Sequence, residues 1–545
     1  MRWRAADSAA ALPGARPQSS LKNAFGYLLA GLAGLAHAAS IALPGGPGPG
    51  NAPPQWGLQI LALAALAWLL GRSSIAGRSR WAAFGLGWVF ATAWLAGTFW
   101  WLFISLHTYG GLAAPLAVLA VGVLAGALAL FYALICMLFS ALANGKPAGD
   151  ALLFAACWTL AELARGQFFT GFPWGAAGYA HVDGPLAGAA HVVGVYGVGA
   201  VAAFLAGCLA SLWPVWRGPA RRAWAYAGGG LALLAAVFLL PQMPSSQTQA
   251  AGELSVTLLQ GNIPQDEKFQ PGSGVPQALR WYREQLLASR SQLVAAPETA
   301  VPLLPAQMPD DYWPALTQHF AAPSRSQAAL IGVPLGSFAQ GYTNSAMGLA
   351  PSGEYVYHKH HLVPFGEFIP YGFRWFTELM NIPLGDFDRG GVGQPSLAFA
   401  GQRLAPNICY EDLFGEELGA RFLDPSSAPT VFVNLSNIGW FGNSVAIDQH
   451  LHISRMRALE FQRPMIRATN TGATAIINHL GEVTHALAPH TRGVLEGVVQ
   501  GRSGITPYAW WVSRYGLWPL WGLAIAIVAI AIAAKKLRAR ARFGP

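Results

Sequence analysis

Long apolar runs constrain the fold of this chain more than any other feature. We count seven before residue 245 and an eighth near the C-terminus, and most reach the roughly 20 residues that a helix needs to cross a bilayer. They lie at about 24–43, 57–71, 81–106, 112–141, 149–164, 186–213, 223–241 and 515–534, the second and fifth being short. Only 11% of residues are charged, against about 25% in soluble domains. The sequence therefore predicts a multi-pass α-helical membrane bundle of about eight transmembrane helices.

Basic residues in the loops predict how these helices are oriented. Lys and Arg precede the first run, are absent from the loop after it, and return around 72–80. Basic and non-basic loops continue to alternate as far as the basic tail at 535–542. Because positive charge marks the cytoplasmic side, we expect both termini in the cytoplasm and residues 246–505 outside it, which in a bacterium is the periplasmic face. The net charge of +9 is spread over these short loops, so it does not indicate a nucleic-acid partner.

The stretch between the last two runs has a different pattern. After a polar linker at Gln242–Ala251, short β-rich runs alternate with helical ones, which predicts an α/β domain. The predicted strands are Val256–Ile263, Leu293–Ala296, Ala328–Val333, Ser345–Ala350, Leu404–Ile408 and Thr430–Leu435, and the predicted helices Pro276–Arg290, Asp310–Phe320 and Val445–Phe461. We predict three parts: a seven-helix membrane domain at 1–245, a periplasmic domain at 246–505, and a C-terminal helix with its tail at 506–545.

Cys409 is the only cysteine outside the apolar runs. It follows the predicted strand Leu404–Ile408, and strand ends are where scaffolds present reactive groups. A lone cysteine can also be a small buried core residue, so this position alone leaves both interpretations open.

Two further residues of the same domain suit a cysteine nucleophile, which needs a base and a stabilised oxyanion. Glu298 follows the predicted strand Leu293–Ala296, where burial would tune a carboxylate for proton transfer. Lys359 is one of only two lysines in the domain, the other being Lys268. In isolation, Glu298 also fits a turn residue and Lys359 a solvated surface residue.

Metal and cofactor chemistry have little support in the sequence. His450 and His452 are two apart on a predicted helix and so do not share a face. The chain has no HExxH motif, CxxC pair, Walker loop or strand-linked GxGxxG. We predict no metal and no cofactor.

The order Glu298, Lys359, Cys409 resembles the Glu-Lys-Cys triad of the nitrilase superfamily. The flanking sequence resembles the apolipoprotein N-acyltransferase family over about residues 24–534. The motifs that carry this resemblance are Thr170–Trp174, Leu259–Gln265, Lys359–Pro370, Ile408–Glu411, Trp440–Gly442 and Arg455–Glu460.

The resemblance implies an αββα nitrilase-like domain carried by the membrane bundle. It implies transfer of an acyl chain from a phospholipid to the N-terminal diacylglyceryl-cysteine of an apolipoprotein, through a cysteine thioester and with ping-pong kinetics. Glu298 would be the base, Lys359 the oxyanion stabiliser and Cys409 the nucleophile.

Supporting and substrate-binding positions also follow from the resemblance: Glu367, Glu411, Tyr410, Trp440 and Phe269. The chain departs from the family's usual pattern in two places. Ile438-Gly439 stands where the family often has Asp-Ala, so one acidic residue is lost and Ile438 receives no polar role. Phe269 stands where some members have Trp.

Two other functions fit parts of the pattern. A membrane-tethered amidase or nitrilase acting on a soluble amide would share the triad, although eight spans exceed what a tether needs. The other is a transporter or receptor with a non-catalytic outer domain. Transporters place ionisable groups within their spans, where the sequence offers Glu162, with Arg165 at the end of that run; this glutamate also fits a structural partner for a cation.

Overall fold

The chain folds into a helical part and a two-sheet part, and one cluster of buried apolar residues extends from the helices to the second sheet. The computed structural model describes residues 17–43, 52–75, 79–215, 248–322, 326–370, 372 and 386–542. The predicted run at 223–241 lies outside these residues.

Seven long helices form the helical part within the described residues. They are α1 (Pro17–Ile41), α2 (Trp56–Ile75), α3 (Arg80–Phe99), α4 (Ala114–Leu142), α5 (Pro147–Gln167), α6 (Ala190–Val215) and, at the C-terminus, α12 (Trp518–Arg542). Of the described helices, five are long and apolar enough to cross a membrane, and the apolar stretch of α2 is shorter. Helix α5 is not among the five; it carries Asp150, Glu162 and Arg165, which lower its hydropathy.

The helical part corrects one sequence prediction and settles the role of Glu162. The run expected at 81–106 is not one helix, because α3 ends at Phe99 and a π-helical turn follows at Ile104–Tyr109. Glu162 is a structural partner: its carboxylate lies 3.4 Å from the Arg165 guanidinium and accepts a hydrogen bond from the Ala177 amide at 3.0 Å.

Twelve strands form two six-stranded sheets in the described part of the chain. Their bounds are β1 Thr248–Gln260, β2 Leu293–Ala296, β3 Ala328–Ser337, β4 Gly341–Ala350, β5 Gly353–His358, β6 Leu397–Phe399, β7 Gln402–Ile408, β8 Val431–Ser436, β9 Met465–Thr469, β10 Ala475–Ile477, β11 Val483–Ala486 and β12 Gly493–Gly504. The first sheet has the order β12-β1-β2-β3-β4-β5 and the second β11-β10-β9-β8-β7-β6. Neighbours β1-β2-β3 and β7-β8-β9 are parallel.

All six predicted strands are present, but β1 begins eight residues before the predicted start, and β3 and β4 are each four residues longer than predicted. Six others were not predicted, namely β5, β6 and β9 to β12. The linker prediction at Gln242–Ala251 is wrong at its C-terminal end, because β1 begins at Thr248 and pairs there with Gly504 of β12. Polar residues at the start of β1 are tolerated because several are exposed.

Helices cover both outer faces of the sheets. The first sheet is covered by α7 (Gly274–Ala288) and α8 (Tyr312–Phe320). The second is covered by α10 (Ala446–Phe461), with α9 (Gly415–Gly419) and α11 (Pro507–Tyr515) beside it. Apolar residues of both sheets, such as Val256 and Val433, pack against each other between them. The layer order is therefore helix, sheet, sheet, helix.

Helix α10 lies between the second sheet and the helical part. Only Arg455 and Leu459 of its residues are not buried, so the helix has no solvent face. The helical part is thus packed against the two-sheet part through a helix that both share.

Candidate active site

The carboxyl ends of several strands bring the predicted site residues to one edge of the two-sheet part. Glu298 follows β2, Lys359 follows β5 and Cys409 follows β7 directly. Side chains presented at such strand ends converge in α/β folds. Three residues far apart in sequence therefore lie near one another, with a partly buried Cys409 close to the buried Glu298 and Lys359.

Lys359 lies between two carboxylates. Its Nζ is 3.2 Å from Glu298 Oε1 and 2.9 Å from the Glu367 carboxylate, and all three side chains are buried. Asn344 on β4 donates to both carboxylates at 2.7 Å. Burial lowers the pKa of Lys359, but Glu298, Glu367 and Cys409 outweigh it and the net pKa lies above its usual value. Lys359 is therefore a fixed cation.

Cys409 has an unusual backbone conformation and a weakly acidic thiol. Its φ is 52°, in the left-handed region that costs a non-glycine residue energy. Burial and the Glu298 carboxylate raise the pKa of the Cys409 thiol to about 12, against the opposing effect of Lys359. At neutral pH the thiol is protonated, so attack by this sulfur requires a base to take its proton.

Glu411 accepts hydrogen bonds mainly from backbone amides. It accepts hydrogen bonds from the amides of Ile408 at 2.6 Å and His360 at 2.7 Å, and from the Tyr357 hydroxyl at 2.8 Å. These donors come from the two segments that carry Cys409 and Lys359. The glutamate therefore ties the ends of β5 and β7 together.

Tyr410 and Trp440 contact the helical part. The Tyr410 hydroxyl donates to the Gly171 carbonyl at 3.1 Å, and its ring is buried. The Trp440 carbonyl accepts from the Ser105 hydroxyl at 2.7 Å, while its ring lies 5.8 Å from that of Tyr109. Both residues lie where the two parts of the molecule meet.

Phe269 is 41% exposed, and the neighbouring Lys268 is buried. Lys268 Nζ donates to the backbone carbonyl of Glu298 at 3.0 Å. Burial lowers the pKa of Lys268 to about 7, although Glu298 and Cys409 act in the opposite direction. In the sequence, Lys268 stands out only because lysine is rare in this domain, and its contact with Glu298 was not predicted.

Asn344 and the Asn437 amide were also missed. The Asn437 N–H donates to Glu298 Oε2 at 2.9 Å, so Glu298 is held from several sides. Nothing local in the sequence marks these residues, because their role depends on strand pairing. His450 and His452 point to different partners, as their spacing predicted: His450 contacts the Cys409 carbonyl at 3.2 Å and His452 the Ala52 carbonyl at 2.9 Å.

Two family models match the chain. The apolipoprotein N-acyltransferase N-terminal domain matches residues 50–208, and carbon-nitrogen hydrolase matches residues 255–507. With the two-sheet fold, the second match defines a carbon-nitrogen hydrolase domain of the nitrilase superfamily, joined to apolar helices. The boundaries predicted at 245 and 505 stay predictions.

Full-length relatives extend the match to most of the chain. The apolipoprotein N-acyltransferase of Verminephrobacter eiseniae (strain EF01-2) is 60% identical over 89% of this chain and 92% of its own length. The corresponding proteins of Ralstonia nicotianae and Bordetella bronchiseptica are 46% and 42% identical, over 88% and 93% of this chain and 90% and 96% of their own lengths. The chain belongs to the apolipoprotein N-acyltransferase family.

Proposed function

We propose that this protein transfers an acyl chain from a membrane phospholipid to the N-terminal α-amino group of the diacylglyceryl-cysteine of apolipoproteins, the last step of bacterial lipoprotein maturation. The observation that carries the proposal is the position of Cys409 at the end of β7, beside the buried cluster of Glu298, Lys359 and Glu367. The names of the relatives support the acceptor class.

In the first half-reaction, the Cys409 sulfur attacks the ester carbonyl carbon of the phospholipid while its proton passes to Glu298. Lys359 stabilises the oxyanion that forms, since it carries a permanent positive charge within the site. The carbon–oxygen bond to glycerol then breaks, and the glycerol oxygen takes the proton from Glu298. Lysophospholipid leaves, and the acyl chain stays on Cys409 as a thioester.

In the second half-reaction, the neutral α-amine of the acceptor attacks the thioester. The carbon–nitrogen bond forms and the carbon–sulfur bond breaks, and a proton of the amine returns through Glu298 to the Cys409 sulfur. A stored thioester allows the two lipid substrates to bind in turn, which gives ping-pong kinetics. Glu367 keeps Lys359 in place, and Glu411 supports the two strand ends.

The same proposal places the reaction at a membrane surface. Both substrates carry acyl chains, and Tyr410 and Trp440 join the site to the helical part. We propose about eight spans in the bacterial inner membrane, with the hydrolase domain periplasmic and both termini cytoplasmic. Phe269 is exposed near the buried Lys268, where we assign it a lipid contact.

The test is intact-mass analysis after incubation with phospholipid vesicles and no acceptor. Wild type should gain one acyl mass, which neutral hydroxylamine removes, because that reagent cleaves thioesters. Cys409→Ser should gain none, since a serine hydroxyl ionises far less readily than a thiol.

Cys208→Ala is the matched control, because Cys208 is a free cysteine of helix α6. It should gain the acyl mass as wild type does. An acyl group on a residue other than Cys409, or transfer by Cys409→Ser at the wild-type rate, would show the mechanism to be wrong.

An acceptor peptide separates this proposal from a tethered amidase. With a diacylglyceryl-cysteine peptide, lysophospholipid release should accelerate and the peptide should gain the acyl mass that the enzyme loses. Hydrolysis of soluble amides with no transfer to the peptide would favour the amidase.

A further inference from the structure

The backbone of Cys409 is held by a residue outside the Glu298–Lys359 cluster. A left-handed φ of 52° at a cysteine persists only where its surroundings impose it. The Cys409 carbonyl accepts a hydrogen bond from His450 Nε2 at 3.2 Å and a longer one from Asn434 Nδ2 at 3.5 Å. His450 is therefore the nearer of the two contacts that fix this peptide group.

Arg467 determines which nitrogen of His450 carries the proton. Its Nη2 lies 2.9 Å from His450 Nδ1, and a guanidinium can only donate. Nδ1 must therefore accept, which leaves the proton on Nε2. The Asp412 carboxylate is 4.0 Å from Nε2, beyond hydrogen-bond distance, so the Nε2 proton goes to the Cys409 carbonyl.

His450 also packs against the helical part of the molecule. The Trp174 indole stacks on the imidazole with a centroid distance of 5.5 Å and an interplanar angle of 16°. Trp174 Nε1 donates to Gln449 Oε1 at 2.8 Å, and Trp101 Nε1 donates to the same oxygen at 3.0 Å. Both tryptophans are buried. The orientation of the imidazole thus depends on residues that lie among the apolar helices.

We propose that His450 is a positioning residue that holds Cys409 in its attacking conformation, and that Trp174 keeps His450 in place. The proposal rests on the proposed function, in which Cys409 is the nucleophile. If this role is correct, Cys409 adopts its attacking conformation only when the hydrolase domain is packed against the helical part. His450 moves no proton in the reaction; burial and Arg467 keep the pKa of its imidazole well below the usual value, which fits a permanent hydrogen-bond donor.

The experiment compares His450→Leu with His450→Gln in the full-length protein in phospholipid vesicles. Leu removes both hydrogen-bonding groups, whereas the Gln amide offers one donor for the Cys409 carbonyl and one acceptor for Arg467. The rate of acyl-enzyme formation should fall about 100-fold in His450→Leu, the scale expected when a reacting atom is misplaced. His450→Gln should stay within about tenfold of wild type, by the same reasoning.

Three further readouts separate positioning from a general loss of structure. The apparent KM for phospholipid should stay unchanged while the acylation rate falls. The pH profile should keep its shape from pH 6 to 9, because His450 does not titrate there. His485→Leu, the same substitution at an exposed histidine on β11, should acylate as wild type does.

A second pair of variants tests the contribution of the helical part and remains informative if His450→Leu fails to fold. Trp174→Phe keeps an aromatic ring on the imidazole, whereas Trp174→Leu does not. Acylation should be slowed more in Trp174→Leu than in Trp174→Phe.

The outcomes distinguish this inference from the proposed function. Absence of an acyl adduct on wild-type Cys409 would overturn the proposed function. The positioning role alone would be overturned if wild type forms the adduct and His450→Leu forms it at the wild-type rate. It would also be overturned if the acylation rate falls equally in His450→Leu and His450→Gln. Equal rates in the two Trp174 variants would overturn the part assigned to Trp174.

Discussion

At the scale of single residues, Glu298 receives hydrogen bonds from several directions. Lys359, Asn344 and the Asn437 amide all donate to its carboxylate, and Lys268 donates to its backbone carbonyl. Such contacts fix both the position and the direction of the carboxylate. The carboxylate is thus held close enough to Cys409 to raise the pKa of its thiol, which suits a base for that thiol.

Glu298→Gln tests this role with little change in volume. The amide cannot take the Cys409 proton, so we expect acyl-enzyme formation to fall by about 10² to 10⁴-fold, the usual contribution of a positioned base. The measurement is the rate of acyl mass gain with phospholipid. Glu354→Gln, at an exposed position on β5, is the control, and normal thioester formation in Glu298→Gln would assign the proton to another group.

The lowered pKa of Lys268 predicts how the stability of the protein changes with pH. Burial lowers its pKa to about 7 from an ordinary 10.5. Between these values the unfolded chain binds more protons than the folded one, so this group makes stability rise with pH. From pH 7 to 9, the thermal midpoint of wild type should therefore gain at least about 2 °C relative to Lys268→Met.

The matched control is Lys536→Met, at an exposed position of α12. All thermal midpoints are measured on detergent-solubilised protein. The thermal midpoint of Lys536→Met should follow that of wild type across the same pH range. Parallel curves for wild type and Lys268→Met would contradict a lowered pKa at Lys268.

At the scale of elements, α10 carries several of the polar contacts between the two parts of the molecule. The Arg457 guanidinium lies 3.0 Å from the Glu460 carboxylate, and neither is exposed. Glu460 also accepts a hydrogen bond from the Val195 amide at 2.6 Å, next to the kink of α6 at Gly194. This ion pair therefore links the helix beneath the second sheet to an apolar helix.

Removing one partner of this pair should be costly. Arg457→Met leaves the Glu460 carboxylate buried without its cation, which destabilises proteins by about 3–5 kcal/mol. The double variant Arg457→Met, Glu460→Gln should regain part of that loss. Both effects are read as thermal midpoints in detergent.

Arg455→Met on the same helix is the matched control. Arg455 pairs with Asp183, which is half exposed, and such pairs contribute only about 0–1 kcal/mol. If Arg457→Met were no more destabilising than Arg455→Met, the buried pair would not stabilise the junction.

At the scale of the whole molecule, the orientation of the chain in the membrane decides which substrates can reach the site. The loop charges predict that residues 246–505 lie outside the cytoplasm. Acyl donors of the outer leaflet and acceptors exported across the membrane would then meet at the same surface.

Reporter fusions test this orientation. A fusion at Ser352, in the turn between β4 and β5, should show periplasmic activity, and a fusion after Arg542 should show cytoplasmic activity. A cytoplasmic signal at Ser352 would place the hydrolase domain on the wrong side for the proposed reaction.

The sequence by itself determined the parts of the protein that depend on local pattern. Apolar runs of sufficient length predicted long helices, and short β-rich runs predicted the strands that carry Glu298 and Cys409 at their ends. The periodicity at 445–461 predicted α10 to within a residue at its start. These features are readable because burial of a segment leaves its mark on neighbouring residues of that same segment.

Only the tertiary structure decided how distant segments complete the candidate site. Asn344, Lys268 and His450 carry no local signal, because each depends on a partner brought near by strand pairing or helix packing. Helix α10 is the clearest case: the second sheet and the apolar helices cover it from both sides, so its polar residues are buried. The pattern of an amphipathic helix assigns its polar residues to a face in contact with solvent. In α10 the polar face is instead packed against other parts of the molecule, which the sequence pattern alone does not reveal.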